Sequence, residues 1–134
     1  ILQSKSFIMY RPNEEKKDFI DQLKARIKNW VLRILNFCEE LPRSTVTRVI
    51  NYQLIKSATS TGANHRAACR SRSNREFFAK LSIALEEADE SHYWLELIKD
   101  KGIACDKKEL GFLLKESDEI TRILASARRT MKNR

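Results

Sequence analysis

Glycine and proline are scarce in this chain, three and two of 134 residues, which excludes the many tight turns that a small all-β fold needs. Cysteine is scarce as well. Cys38, Cys69 and Cys105 are odd in number, far apart and never in a C-x-x-C pair, so no disulfide framework is expected and a reducing compartment fits. No run approaches the roughly 18 consecutive apolar residues of a membrane span, and the start lacks the apolar core of a signal peptide. The expectation is a cytoplasmic protein with no membrane partner.

What remains is rich in the residues that favour helices. Apolar residues make up 42% and charged residues 33% of the chain, a balance that suits one soluble domain with a real core rather than a disordered segment. With so few breakers, long uninterrupted helices are favoured.

Four helical patterns can be read. In the first, Ile20, Leu23, Ile27, Trp30, Ile34, Phe37 and Leu41 recur at spacings of three and four, a heptad seam that Pro42 ends. Ser44 can cap a second helix, for which the inward stripe is read as Val46, Ile50, Ser57, Thr61, Asn64 and Ala68. Gly62 lies inside that pattern, where it costs about 1 kcal/mol relative to Ala, and so predicts a close helix contact or a kink. Ser73-Asn74-Arg75-Glu76 has the form of a capping box and announces a third helix. Its seam is Phe77, Leu81, Ala84, Ala88, Ser91, Leu95 and Ile98, and Gly102 can end it in the left-handed conformation. Asp106 opens the last helix, with Leu110, Leu113, Ser117, Ile120, Leu124, Ala127 and Met131 inward.

The predicted helices cover residues 13–40, 44–71, 74–101 and 106–132. Each spans about 40 Å at 1.5 Å per residue, and the connections are short. The fold class is therefore all-α, an antiparallel up-down-up-down four-helix bundle over residues 13–134. Residues 1–12 precede it as a tail or a docking arm.

The formal net charge of +8 is unevenly distributed. Between Leu41 and Arg75 there are seven basic residues and no acid; from Glu76 to Lys101 there are seven acids against three bases; after Glu119 there are five bases and no acid. On a helical wheel Arg48, Tyr52, Lys56, Ala63, Arg66 and Arg70 share the outer face of the second helix. Spaced cations beside an aromatic suit a phosphate backbone, because each neutralised phosphate releases counterions. Arg48, Lys56, Arg66, Arg70, Arg122, Arg128 and Arg129 are the candidate nucleic-acid contacts, and the C-terminal run, less tied to the bundle, reads as the better candidate for an arm. An equally weighted reading is self-association: Arg66 and Arg70 would meet Glu86, Glu87 or Glu90 of the same or a neighbouring chain, closing a head-to-tail ring.

Catalytic chemistry finds little support in the pattern. Asp89-x-x-His92 has carboxylate–histidine spacing, but a di-iron bundle needs two Glu-x-x-His repeats and further carboxylates in register. Ser60-Thr61-Gly62 has no strand–turn–helix context to make it a nucleophile elbow, and no base is placed beside any cysteine. Trp30, Tyr93 and Trp94 read as core or contact residues rather than a base-stacking platform. A protein without a catalytic centre, metal or cofactor is expected.

Two blocks carry a family resemblance. The run LPRSTVTRVINYQLIKSATSTGANHRAACRSRS from Leu41 to Ser73, then Phe77 to Leu81 and EEADESHYWLELI from Glu86 to Ile98, resemble the bacterial four-helix-bundle family named for the 23S rRNA intervening-sequence protein. The likeness extends from about Lys16 to Met131. Many relatives carry Tyr-Arg-Glu-Ala after the asparagine, whereas this chain has His65-Arg66-Ala67-Ala68, which removes an acid and makes the second helix more basic. The resemblance implies an up-down bundle that assembles into a homopentameric ring. It also implies kinship with the accessory variability determinant of diversity-generating retroelements, a basic pentamer that works with a reverse transcriptase and binds RNA or DNA. It implies no biochemical activity for the intervening-sequence members themselves.

Overall fold

The computed structural model describes the backbone of residues 10–132 and the side chains of residues 14–131. It contains four helices, α1 (Tyr10–Glu39), α2 (Thr45–Cys69), α3 (Asn74–Lys101) and α4 (Lys107–Lys132), and no strand among the described residues. The chain is thus an all-α four-helix bundle. The first helix starts at Tyr10, three residues ahead of the predicted boundary, so the last residues of the expected arm are helical. The rest of that arm, residues 1–9, lies outside the described residues.

Local chemistry fixes the helix ends. Ser44 adopts an extended conformation and its hydroxyl accepts the Thr47 amide at 3.0 Å; the Asp106 carboxylate accepts the Glu109 amide at 3.0 Å. Ser73 accepts the Glu76 amide at 3.1 Å, but the return bond of a full capping box is absent among the described residues. Gly102 has φ of 75° and closes α3, its amide reaching Lys99 O while the Ile103 amide reaches Ile98 O. This is a paired C-terminal cap that only a residue at home in the left-handed region provides without strain.

The helices form a closed square: α1 touches α2 and α4, α3 touches α2 and α4, and neither diagonal pair meets. The α2–α3 contact is the most extensive and α1–α4 the least. Small buried side chains explain the first. Ser57, Ala58, Thr61 and Ala68 on α2 and Ala84, Ala88 and Ser91 on α3 are all buried, which lets the backbones approach closely. The Ser57 and Ser91 hydroxyls lie 2.7 Å apart across this contact.

All four helices contribute to the bulky core, with Leu54 from α2 and Leu81, Leu95 and Ile98 from α3. Trp30, Ile34, Leu113, Ile120 and Leu124 are wholly buried, as their seams predict. The seam of α2 differs from the expected one: Val46 is 49% exposed and Asn64 only half-buried, while Thr47, Leu54, Ala58 and His65 point inward. Packed between α1 and α3, α2 buries a wide face whose centre is rotated toward α1. Asn64 sits at its edge and donates to Ser60 O and Oγ on its own helix. Gly62 does mark a helix contact, since a methyl group there would lie 3.5 Å from Val31 Cγ2 and 3.9 Å from Ile27 Cγ2, ordinary packing distances. The helix runs through it without interruption.

Candidate nucleic-acid interface

The basic outer face of α2 is present as its wheel predicts. Arg48, Lys56, Arg66 and Arg70 are all exposed, with Tyr52 64% exposed among them. The stripe from Arg48 to Arg70 extends about 33 Å at the helical rise. Among the described residues none of these four cations pairs with a carboxylate, and α2 itself carries no acid.

Other arginines do find carboxylates. On the α1–α4 contact, Arg26 grips Glu116 in a two-pronged pair, Nε to Oε2 at 2.7 Å and Nη2 to Oε1 at 2.6 Å, and also reaches Glu119 at 2.7 Å. Arg33 holds Glu109 the same way at 2.9 and 2.6 Å while its guanidinium lies 3.5 Å above the Phe112 ring. Hydrogen bonds to these carboxylates push both guanidinium pKa values further up. None of these pairs is read from the sequence pattern, since each joins residues at least 76 positions apart.

The C-terminal cations fare differently from expectation. Rather than forming a loose arm, the segment continues α4 to Lys132. Arg128 is half-buried, donates from Nε to Ser82 Oγ at 2.7 Å and lies 4.7 Å over the Phe78 ring. Its guanidinium thus takes part in the α3–α4 contact. Arg122 faces Asp118 at 3.1 Å in an exposed i,i+4 pair, and Arg129 is exposed. Because α4 is diagonal to α2, Arg122 and Arg129 share no face with Arg48, Lys56, Arg66 and Arg70. Antiparallel packing does bring Arg66, Arg70 and Arg129 to the same end of the bundle.

The acidic residues of α3 make no ion pair with Arg66 or Arg70 within the chain. Glu86 is exposed and Glu87 half-buried, and Glu90 accepts the Trp94 indole N–H at 3.0 Å. His92 bonds Ser117 Oγ at 2.6 Å through Nδ1 and faces Glu96 at 3.7 Å through Nε2, so it bridges α3 to α4 while Asp89 stays exposed on the surface. No group of three metal-ligating side chains occurs among the described residues. Burial pushes the Cys38 thiol up to about 12 and also raises Cys69 and Cys105, so none of them is a thiolate nucleophile near neutral pH.

Beside the α2 stripe lies a feature the sequence does not disclose. A groove of about 500 Å³ runs between α1 and α2, with Lys24 and Lys28 on one rim and Arg66 and Arg70 on the other. Ile27, Val31 and Gly62 form its floor, and no carboxylate lines it. His65 lies at its base, buried, with Nε2 3.8 Å from Cys69 Sγ; burial and, secondarily, Lys24 lower its pKa. The two flanks of α1 are thus divided: Arg26 and Arg33 turn toward α4, Lys24 and Lys28 toward α2.

The sequence profile of the 23S rRNA-intervening sequence protein family matches residues 22–126. The chain belongs to this family. Among solved structures, a protein of unknown function from the S23 ribosomal protein family of Bacteroides thetaiotaomicron is 33% identical and superposes with a TM-score of 0.71, the match covering 82% of this chain and 97% of that one. No curated protein matches the chain significantly. The matched region includes the whole of α2 and α3 and therefore both the basic face and the groove. No helix among the described residues is long and apolar enough to cross a membrane.

Proposed function

We propose that this family member is a non-enzymatic, cytoplasmic nucleic-acid-binding bundle that holds RNA or DNA through the outer face of α2. The observation that carries this reading is the row Arg48, Lys56, Arg66 and Arg70, unpaired among the described residues, on a helix without a single acid. Exposed arginines with no partner of their own bind phosphate at little cost, since no internal ion pair must be broken first. Contacts of this kind are to the backbone, so binding falls steeply with salt and shows little sequence preference. The same reading extends to a homopentameric ring and to service as an accessory factor of a retroelement reverse transcriptase, the role held by the related accessory variability determinant. A mobility-shift titration at low and at physiological salt tests the binding. Strong binding that weakens with salt is expected, and absence of binding at low salt overturns it.

A second reading has its own support in the charge division between α2 and α3. In a structural homo-oligomer, Arg66 and Arg70 of one copy would meet Glu86 and Glu87 of the next, groups left without each other inside the chain. Light scattering on an Arg66→Ala/Arg70→Ala variant separates the two: a dissociated oligomer favours subunit contact, and an intact one with weakened nucleic-acid binding favours the first reading.

A further inference from the structure

The groove between α1 and α2 has the form of a ligand site rather than of an imperfect helix contact. Cations from two helices converge on it, Lys24 and Lys28 opposite Arg66 and Arg70, and no carboxylate lines it. Lys24 also pairs with Asp21 at 3.7 Å, a carboxylate outside the lining that lies near enough to Cys69 of α2 to act on its thiol. Its floor is apolar: Ile27 and Val31 lie beside the bare backbone of Gly62, where no side chain intervenes. The volume of about 500 Å³ is within the range in which proteins hold small ligands. His65 stays uncharged there near neutral pH, because burial lowers its pKa, so the anion-binding charge comes from the four rim cations.

We infer that this groove takes one nucleoside monophosphate unit, its phosphate between the rim cations and its base against Ile27, Val31 and Gly62. This rests on the nucleic-acid reading above and deepens it. Arg66 and Arg70 are members of both the outer stripe and the groove rim, so a strand lying on α2 passes the groove mouth. A base paired within a duplex cannot enter a cleft between two helices, whereas an unpaired base can turn out of its strand and bind by its face. The groove therefore gives the protein a preference for single strands that the outer stripe alone would not. A free nucleotide and a nucleotide within a strand present the same chemistry.

Fluorescence-anisotropy titrations of a short single-stranded RNA and of its duplex at low salt, with wild type, Gly62→Leu and Lys28→Gln, test the inference. AMP titrated into the labelled wild-type protein and followed by amide NMR tests the groove directly. The wild type is expected to prefer the single strand, and Gly62→Leu, which fills the floor without changing charge, to lose about tenfold of that affinity through lost apolar contact while duplex binding holds. Lys28 is exposed, so Lys28→Gln gives the same direction of change without risk to the fold. Single-strand binding by both variants equal to wild type overturns the groove site and leaves the α2 stripe standing. Wild-type protein that binds neither nucleic acid overturns the function proposed above; AMP-induced shifts at Gly62 and Lys28 would then uphold the groove as a site for free nucleotides, and their absence would overturn it too.

Discussion

The arginines of the α1–α4 contact and those of the α2 outer face are the same residue in opposite circumstances. Arg26 and Arg33 are each gripped in two-pronged fashion by a carboxylate of α4, and their charge is spent on joining two helices. Arg48, Arg66 and Arg70 have no such partner among the described residues and stand exposed. Total charge therefore says little about binding. What matters is which cations the fold leaves unpaired, and α2 is the helix on which such cations stand with no acid among them.

Breaking that division in each direction gives distinct outcomes. The largest effect on stability is expected from Arg26→Ala. It strands the Glu116 carboxylate, whose side chain is only 10% exposed, and after allowance for the solvent around the arginine should cost about 1–2 kcal/mol in chemical denaturation. Nucleic-acid affinity should be nearly unchanged. Arg128→Ala removes the hydrogen bond to Ser82 and the contact with Phe78, and about 1 kcal/mol of stability is expected to go with them. Were Arg128 a phosphate contact, as the charge run suggests, affinity would fall and stability would hold.

Gly62→Ala should act in the opposite direction. The added methyl group meets Val31 at an ordinary distance, so helix propensity gives up to about 1 kcal/mol of stabilisation, read as a higher Tm. Arg66→Ala/Arg70→Ala should change stability least, within about 0.5 kcal/mol, because both are exposed surface positions.

A pH dependence follows from His65. Its pKa in the fold is below the ordinary value, so on acidification the unfolded chain takes up a proton near pH 6.5 before the folded one does. The contribution of His65 is thus complete above about pH 6.5 and declines as the pH falls toward the folded pKa. Tm measured across that range should drop more steeply in the wild type than in His65→Gln.

How far the sequence could be read depended on which forces were local. The seams of α1, α3 and α4 are legible because each helix buries one narrow row, and the caps at Ser44 and Gly102 because they are contacts within five residues. The seam of α2 is misphased at Val46 and Asn64, since small or polar residues such as Ala58 and Thr47 carry no strong apolar signal although they are buried. Lys24 and Lys28 go unnoticed for a related reason. They lie on a helix that also carries Asp18 and Asp21, and only the lateral packing of α1 on α2 sets them opposite Arg66 and Arg70. The contacts of Arg128 are hidden for the same reason, because nothing in the run of bases discloses Ser82 and Phe78, 46 and 50 positions away, as its partners.

The claim that the surplus cations of α2 bind phosphate is tested most directly by the salt dependence of single-stranded RNA affinity in wild type and in Arg66→Ala/Arg70→Ala. Each phosphate contact adds about one to the slope of log affinity against log salt. The double variant should therefore bind more weakly with a slope shallower by about two. An unchanged affinity and slope would contradict the account.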